Sequence, residues 1–244
     1  MRKNPLDVIN KLINERYKDA KAVFWAGSVS KGQGNETSDL DLMIFYEKLP
    51  NASREAFIYD GWPIDTFIND IDTLRYFLEE SQHGNGISGS IHMILNGLEL
   101  TTPTDFSNSI KSLAQEIFAL GPISWDKTQI DKERFLITDM LDNIKCPVSR
   151  EEQIASASWL YEALSQFYFR SQNKWRASGK SIIRYLNQDN PDLAKEFTNS
   201  FKILFETGDS NALDKLVRKI LTPFGGLLWD GFKLESPKEW RLEK

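Results

Sequence analysis

Residues 22–45 constrain the fold of this chain more than any other stretch, because two apolar runs enclose a short polar loop. The first run leads into Gly27 and Ser28, and the second begins with Asp39 and Asp41. Side chains alternate between the two faces of a strand, so the two aspartates share one face while the leucines beside them are buried on the other. The pattern predicts two neighbouring strands, with a pair of carboxylates at the start of the second.

This pair of carboxylates favours a bound cation, because two negative charges side by side repel each other. Oxygen ligands suit Mg²⁺, which keeps several waters and takes the rest of its shell from substrate phosphates. Gly27 lets the backbone approach a phosphate closely, and Ser28 adds a hydroxyl and an N–H. The residues therefore predict a site for Mg²⁺ and a nucleoside triphosphate.

A third carboxylate, Asp65, lies in a later apolar run, residues 62–68. A Gly-Ser pair, a loop, Asp-x-Asp in an apolar strand and a lone acidic residue on a following strand together resemble the signature of the nucleotidyltransferase superfamily that includes DNA polymerase beta. The resemblance covers the N-terminal part of the chain. It implies that Asp39, Asp41 and Asp65 form a catalytic triad that binds two Mg²⁺ ions, with ATP or another nucleoside triphosphate as substrate.

The resemblance also assigns Gly27 and Ser28 to the nucleotide, where they would orient the β- and γ-phosphates. Asp65 is expected mainly to bind metal, with acceptance of the acceptor's hydroxyl proton as the alternative, because some antibiotic-modifying relatives use a glutamate as base and none stands here. Each group also has an ordinary structural explanation, such as a turn at Gly27 or an exposed strand residue at Asp65. A degenerate site that keeps the residues without the activity is a further alternative.

The composition bounds the class of protein and the size of its substrate. The chain has 244 residues, a formal net charge of −5 and a single cysteine, Cys146. This length suffices for two modest domains with their own cores. A protein that grips a long nucleic acid needs a basic face, and the acidic balance does not suggest one, which favours a small acceptor. One cysteine excludes a disulfide framework and a cysteine zinc site.

Hydrophobic periodicity divides the chain into an α/β half and a helical half. It predicts helices near residues 5–17, 71–80 and 105–120, and strands near residues 22–26, 39–46 and 62–69. From about residue 129 onward the pattern is helical throughout. We therefore expect an α/β (α+β) nucleotidyltransferase domain with a mixed sheet, residues 1–125, followed by an all-α domain, residues 126–244.

Residues 175–194 form the second informative stretch. They resemble, more weakly, part of the C-terminal helical domain of the aminoglycoside adenylyltransferases, in which a lysine in a turn reaches the nucleotide phosphates. The resemblance implies that role for Lys180, with Arg184 one helical turn later as second choice. The alternative is that Lys180 is a solvated residue at a helix start. The stretch is not a phosphate-binding P-loop, because Lys174 stands where that motif requires a glycine.

The predicted reaction is transfer of AMP from ATP to a hydroxyl of a small molecule such as an aminoglycoside-like antibiotic, with release of pyrophosphate. One alternative is a nucleotidyltransferase that modifies a protein or a tRNA end, as antitoxin-type relatives do, and another is a non-catalytic nucleotide-binding module. The sequence leaves the acceptor, the base of the nucleotide and the oligomeric state open. Because it shows neither an apolar signal segment nor a run long enough to span a bilayer, we expect a cytoplasmic protein without a membrane partner.

Overall fold

The computed structural model describes residues 2–83 and 86–241, and the chain divides into two compact units, Met1–Gly121 and Pro122–Lys244. The N-terminal unit is built on a mixed sheet and the C-terminal unit is helical. This architecture confirms the predicted fold class. In the part of the chain that the structure describes, no helix is both long enough and apolar enough to cross a bilayer.

The described strands of the N-terminal unit form one five-stranded sheet in the order β3-β4-β2-β1-β5. These strands are β1 (Ala22–Ala26), β2 (Leu40–Phe45), β3 (Ser53–Tyr59), β4 (Trp62–Asn69) and β5 (Leu98–Glu99). β2 and β4 are parallel, while the other neighbouring pairs are antiparallel. The helices of this unit are α1 (Pro5–Arg16), α2 (Gly27–Ser30), α3 (Ile71–His83), α4 (Gly89–Asn96) and α5 (Asp105–Leu120).

One face of the sheet carries a hydrophobic core shared with α1. Val8, Ile9 and Leu12 of that helix are buried together with Leu40 and Leu42 of β2. The leucines that alternate with the aspartates are therefore on the core side, as predicted. Because successive side chains of a strand point to opposite faces, the Asp41 side chain is on the other face of the sheet.

The β3–β4 hairpin turns at Asp60 and Gly61, which both adopt positive φ angles of 46° and 83°. Two such residues make the two-residue turn that matches the twist of paired strands. Tyr59 pairs with Trp62 directly across the turn. The hairpin sets the register of β3, which the hydrophobic pattern does not predict because that strand is at the sheet edge and is largely exposed.

Helix α3 starts from a reciprocal pair of hydrogen bonds. The Thr73 N–H donates to Asp70 Oδ1 at 2.9 Å, and the Asp70 N–H donates to Thr73 Oγ1 at 3.0 Å. Burial alone would raise the pKa of Asp70, but hydrogen bonds from the Thr73 and Leu49 amides outweigh it and the pKa is lowered. The carboxylate form of Asp70 therefore fixes the first turn of α3 directly after β4.

The C-terminal unit packs its helices around a core rich in aromatic rings. The helices are α6 (Lys127–Lys145), α7 (Arg150–Arg170), α8 (Ser181–Asp189), α9 (Pro191–Thr207) and α10 (Asn211–Leu221), followed by short 3-10 turns at Thr222–Phe224 and Lys238–Trp240. Phe167, Phe197 and Phe201 are fully buried in this core. Several aromatic side chains of the helical half thus stabilise the fold, and they need no ligand to explain them.

Candidate active site

The parallel pairing of β2 and β4 brings two of the predicted carboxylates together. Asp41 stands directly beside Asp65 in the register, and Asp39 precedes β2 by one residue. Carboxylate oxygens of all three residues lie within 4.8 Å of one another. Asp65 is buried, while Asp39 and Asp41 are half-buried. Because Asp41 and Asp65 belong to neighbouring strands of one sheet, backbone hydrogen bonds fix the spacing between these two residues.

Gly27 lies against the triad at the end of β1, where Ala26 pairs with Asp41. Its φ angle is +82°, in the region that side chains rarely adopt, and a Cβ atom placed on it would lie 1.9 Å from Asp41 Oδ2. Only glycine leaves room for the Asp41 carboxylate in this position. Sequence analysis explained the glycine at position 27 by the close approach of a phosphate. The contact with Asp41 is a second reason for a glycine at this position.

Ser28 lies in the short helix α2, at the start of the connection between β1 and β2. Its hydroxyl donates to Ser38 Oγ at 3.3 Å, and its carbonyl accepts from the Gln33 N–H at 2.9 Å. Ser38 Oγ also accepts from the Asn35 N–H at 2.8 Å. Because Ser38 immediately precedes Asp39, these bonds tie the Gly27–Ser28 turn to the start of β2.

Arg54 on β3 contacts the triad, and sequence analysis missed it. Its Nε donates to Asp65 Oδ1 at 2.9 Å and its terminal nitrogen donates to Asp65 Oδ2 at 2.7 Å. The guanidinium also lies over the ring of Phe67, 4.7 Å from its centroid. The paired hydrogen bonds with Asp65, followed by the charges of Asp41 and Asp39, raise the pKa of Arg54 further. This two-point contact fixes the orientation of the Asp65 carboxylate.

A signal for Arg54 was present in the Asp-Gly turn. Read as a hairpin, residues 60–61 place β3 antiparallel to β4, with Arg54 opposite Phe67 and Ala56 opposite Asp65. A long basic side chain two pairs away from a carboxylate lies on the same face of the sheet and can reach it diagonally. The turn therefore predicts that Arg54 and Asp65 can meet.

Comparison with known proteins bears on the same region. Residues 6–83 match the family model described as a nucleotidyltransferase domain. The match includes Gly27, Ser28 and all three aspartates of the triad. It supports nucleotidyl transfer as the general activity of the N-terminal unit.

Two further comparisons, with solved structures and with curated proteins, give less information about function. A crystal structure of a nucleotidyltransferase-like protein from Exiguobacterium sibiricum 255-15 is 11% identical in sequence, with a TM-score of 0.40 over 88% of this chain and 80% of that one. A likeness this weak indicates nothing about substrate. No curated protein matches the sequence.

The donor set of the triad fits the metal that the nucleotidyltransferase domain implies. Three carboxylates offer hard oxygen ligands, which Mg²⁺ prefers. Two ions that share a phosphoryl-transfer site lie about 3.5–4 Å apart. Oxygens within 4.8 Å of one another are close enough to serve one ion or two neighbouring ions. Asp39, Asp41 and Asp65 would hold the metal.

Lys180 and Arg184 belong to the C-terminal unit, and they lie outside residues 6–83, the range that the family model matches. Lys180 is the N-cap residue of α8 and Arg184 lies in the first turn of that helix, and both are exposed. The predicted contact of Lys180 with nucleotide phosphates remains a prediction, as does that of Arg184.

Replacing Arg54 is expected to separate metal binding from turnover. Arg54→Met removes the cation that neutralises the triad, so we expect Mn²⁺ to bind roughly two- to fivefold more tightly in the absence of nucleotide. We also expect kcat to fall, because Asp65 loses the two bonds that orient it. Electron paramagnetic resonance of bound Mn²⁺ and pyrophosphate release measure the two effects.

Arg54→Lys is the matched control, since it keeps the charge and loses the two-point contact. Its Mn²⁺ affinity should stay near that of the unmodified protein while its kcat falls. Equal Mn²⁺ affinity and equal kcat in all three proteins would show that Arg54 has no role at the triad.

Proposed function

We propose that this protein is a Mg²⁺-dependent nucleotidyltransferase that transfers AMP from ATP to a hydroxyl of a small molecule. The observation that carries the proposal is the triad itself. Asp39 just before β2, Asp41 on β2 and Asp65 on β4 come together, next to a glycine whose replacement would displace the Asp41 carboxylate, inside a region that matches the nucleotidyltransferase domain. Hydroxyl-rich antibiotics of the aminoglycoside kind are among the candidate acceptors.

The reaction is an in-line displacement at the α-phosphorus of ATP. The acceptor oxygen forms a new P–O bond, and the bond from the α-phosphorus to the bridging oxygen breaks. That oxygen leaves with the bonding electrons as part of pyrophosphate, and the acceptor's proton passes to Asp65 or to water. Bound Mg²⁺ would neutralise charge on the triphosphate and on the attacking and leaving oxygens.

The residues of the chain contribute position and charge. Gly27 and Ser28 would lie against the β- and γ-phosphates, since they follow β1 beside Asp41. Asp65, held by Arg54, would stand near the attacking oxygen. Positioning of this kind and fixed charges account for most of the catalysis expected of such a site. Lys180 would add a contact to phosphate, with Arg184 as second choice.

ATP is expected to stabilise the protein only when Mg²⁺ is present. Three carboxylates repel a triphosphate, and a bound divalent ion reverses the sign of that interaction. At about a hundred times the dissociation constant, ATP with Mg²⁺ should add about 2.7 kcal/mol to the free energy of unfolding. Thermal melts with ATP plus Mg²⁺ and with ATP plus a chelator measure the difference, and equal shifts would count against a site bridged by metal.

Turnover itself is tested with an acceptor panel. The protein is incubated with ATP, Mg²⁺ and aminoglycosides, lincosamides, neutral glycosides or proteins, and products are sought by mass spectrometry as a mass gain of one AMP. A gain in a small molecule supports the proposal. A gain in protein alone would favour the protein-modifying alternative, and no pyrophosphate release with any acceptor would favour a non-catalytic module.

Lys180→Ala is expected to raise the Michaelis constant for ATP more than that for the acceptor. A charge-assisted hydrogen bond to phosphate contributes roughly 1.5–3 kcal/mol, which corresponds to about a 10- to 150-fold change. Lys195→Ala is the control, because Lys195 is also exposed and lies on α9. If both variants showed the same ATP dependence, Lys180 would be a solvated residue at the start of α8.

A further inference from the structure

A cavity of ≈ 380 Å³ opens on the N-terminal unit beside the triad. Its lining includes Met43, Arg54, Phe67, Phe77, Ser81 and Ser90. The cavity has the size of sites that hold small molecules, which run from about 300 to 1,000 Å³. The proposed roles of the triad residues do not use it.

The cavity is on the same face of the sheet as the carboxylates. Met43 and Phe67 pair with each other, and each follows a triad residue, Asp41 or Asp65, by two positions. Residues two apart on a strand share a face and lie about 6.6 Å apart along it. Arg54 joins the two places, since it lines the cavity and donates both hydrogen bonds to Asp65. A molecule in the cavity therefore adjoins Arg54, and Asp65 is the next residue on the same face of β4 beyond Phe67.

The order of the strands indicates whether the cavity lies on the side where the acceptor enters or on the side where pyrophosphate leaves. β1, with Gly27 at its end, flanks β2 on one side, and β4 and then β3 follow on the other. In an in-line displacement the attacking and leaving oxygens are on opposite sides of the phosphorus. If pyrophosphate leaves toward Gly27, the acceptor enters from the side of β4 and β3. The cavity is on that side.

The lining defines the chemistry of the occupant. Apolar surface comes from Met43, Phe67 and Phe77, and the ring of Phe77 is half exposed. Hydroxyls of Ser81 and Ser90 add polar contacts. Among the described residues that line the cavity, none carries a carboxylate, and the one charged group, Arg54, is positive. A polycation would find no counter-charge there, whereas a neutral molecule with an apolar ring would bury that ring.

We propose that this cavity is the acceptor subsite, and that the acceptor is a neutral, partly apolar molecule whose hydroxyl reaches Asp65 while its apolar part lies between Phe67 and Phe77. The inference rests on the proposed nucleotidyltransferase activity, and it narrows the acceptor from hydroxylated small molecules in general to uncharged ones. It excludes polycationic aminoglycosides as preferred acceptors.

The test uses the full chain with Mg²⁺ and α,β-methylene-ATP, whose α–β bridge is not cleaved. Phenyl β-D-glucopyranoside serves as the neutral probe and kanamycin as the polycationic one, both followed by saturation-transfer NMR. We expect saturation of the phenyl protons of the glucoside and none above background for kanamycin. Phe77→Ala should weaken glucoside binding about fivefold, because it removes apolar contact area.

Tyr76→Ala is the matched control, since Tyr76 is the adjacent exposed ring on α3 and is not part of the lining. It should leave glucoside affinity within about twofold. Ser81→Trp fills the cavity without removing a core side chain and should abolish glucoside binding. In both cavity variants the melting shift caused by Mg²⁺ and the nucleotide analogue should be unchanged.

Four outcomes would overturn the proposal. Absence of glucoside binding, or binding that Phe77→Ala and Ser81→Trp leave unchanged, would show that the cavity holds no acceptor. Loss of the nucleotide-induced shift in these variants would assign the cavity to the nucleobase. Kanamycin binding that both variants abolish would assign it to a polycation. A separate measurement tests the proposed nucleotidyltransferase activity itself. The unmodified protein would then show neither pyrophosphate release nor a Mg²⁺-dependent melting shift if that activity were absent.

Discussion

Asp41→Asn is expected to lower the rate of nucleotidyl transfer by about 100- to 1,000-fold without loss of the fold. The substitution removes one of the charges that would neutralise the metal but keeps the shape that fits against Gly27. Because one source of repulsion among three neighbouring carboxylates disappears, the melting temperature should stay the same or rise. Pyrophosphate release at saturating Mg²⁺ and a thermal melt measure the two effects.

Asp72→Asn is the control for Asp41→Asn. Asp72 is an exposed aspartate on α3 whose Oδ2 lies 2.7 Å from Lys48 Nζ, so its replacement removes the same charge outside the triad. Its turnover should match that of the unmodified protein. Near-normal turnover by Asp41→Asn would show that the triad does not catalyse the reaction.

Gly27→Ala should lower activity as strongly as Asp41→Asn, although it changes no charged group. A Cβ atom at this position would lie 1.9 Å from Asp41 Oδ2, so the carboxylate must move away from its partners. The positive φ angle adds a backbone cost of about 1–2 kcal/mol for alanine. The measurements are pyrophosphate release, Mn²⁺ affinity and the free energy of unfolding.

Gly61→Ala separates the two effects of Gly27→Ala. Gly61 has almost the same φ angle, +83°, but a Cβ atom there would meet nothing within 4 Å. It should share the backbone cost and keep its activity and Mn²⁺ affinity. If both alanine variants lost stability equally and both stayed active, the contact between residue 27 and Asp41 would have no catalytic importance.

Much of the N-terminal unit can be predicted from its sequence, because buried strands and amphipathic helices leave strong patterns. Strands β1, β2 and β4 and helices α1, α3 and α5 lie where periodicity places them. The pairing of Asp39 with Asp41 on one face follows from strand alternation, and the resemblance implied that Asp65 joins them. That β2 and β4 are parallel neighbours is not visible in either strand alone, and sequence analysis did not predict it.

The parts that sequence analysis missed are short or exposed. β3 has an edge position and mostly exposed side chains, and α4 and β5 span only 8 and 2 residues. Arg54 was missed together with β3, because its role depends on which strand lies beside β4. The cavity requires the packing of α3 over the sheet, which periodicity does not describe. The acceptor, the cellular location and the role of Lys180 remain predictions.

The length of the turn at residues 60–61 sets the register of β3, and this register places the positive charge of Arg54 at the triad. A strand that pairs one residue out of register presents every side chain to the opposite face of the sheet. In β3 such a slip would carry Arg54 away from Asp65 and leave three carboxylates without their shared cation. Lys3 and Lys11 hold Asp60 at 3.0 and 3.2 Å. A two-residue loop on the surface, with no chemistry of its own, thereby decides whether Arg54 offsets part of the negative charge of the triad.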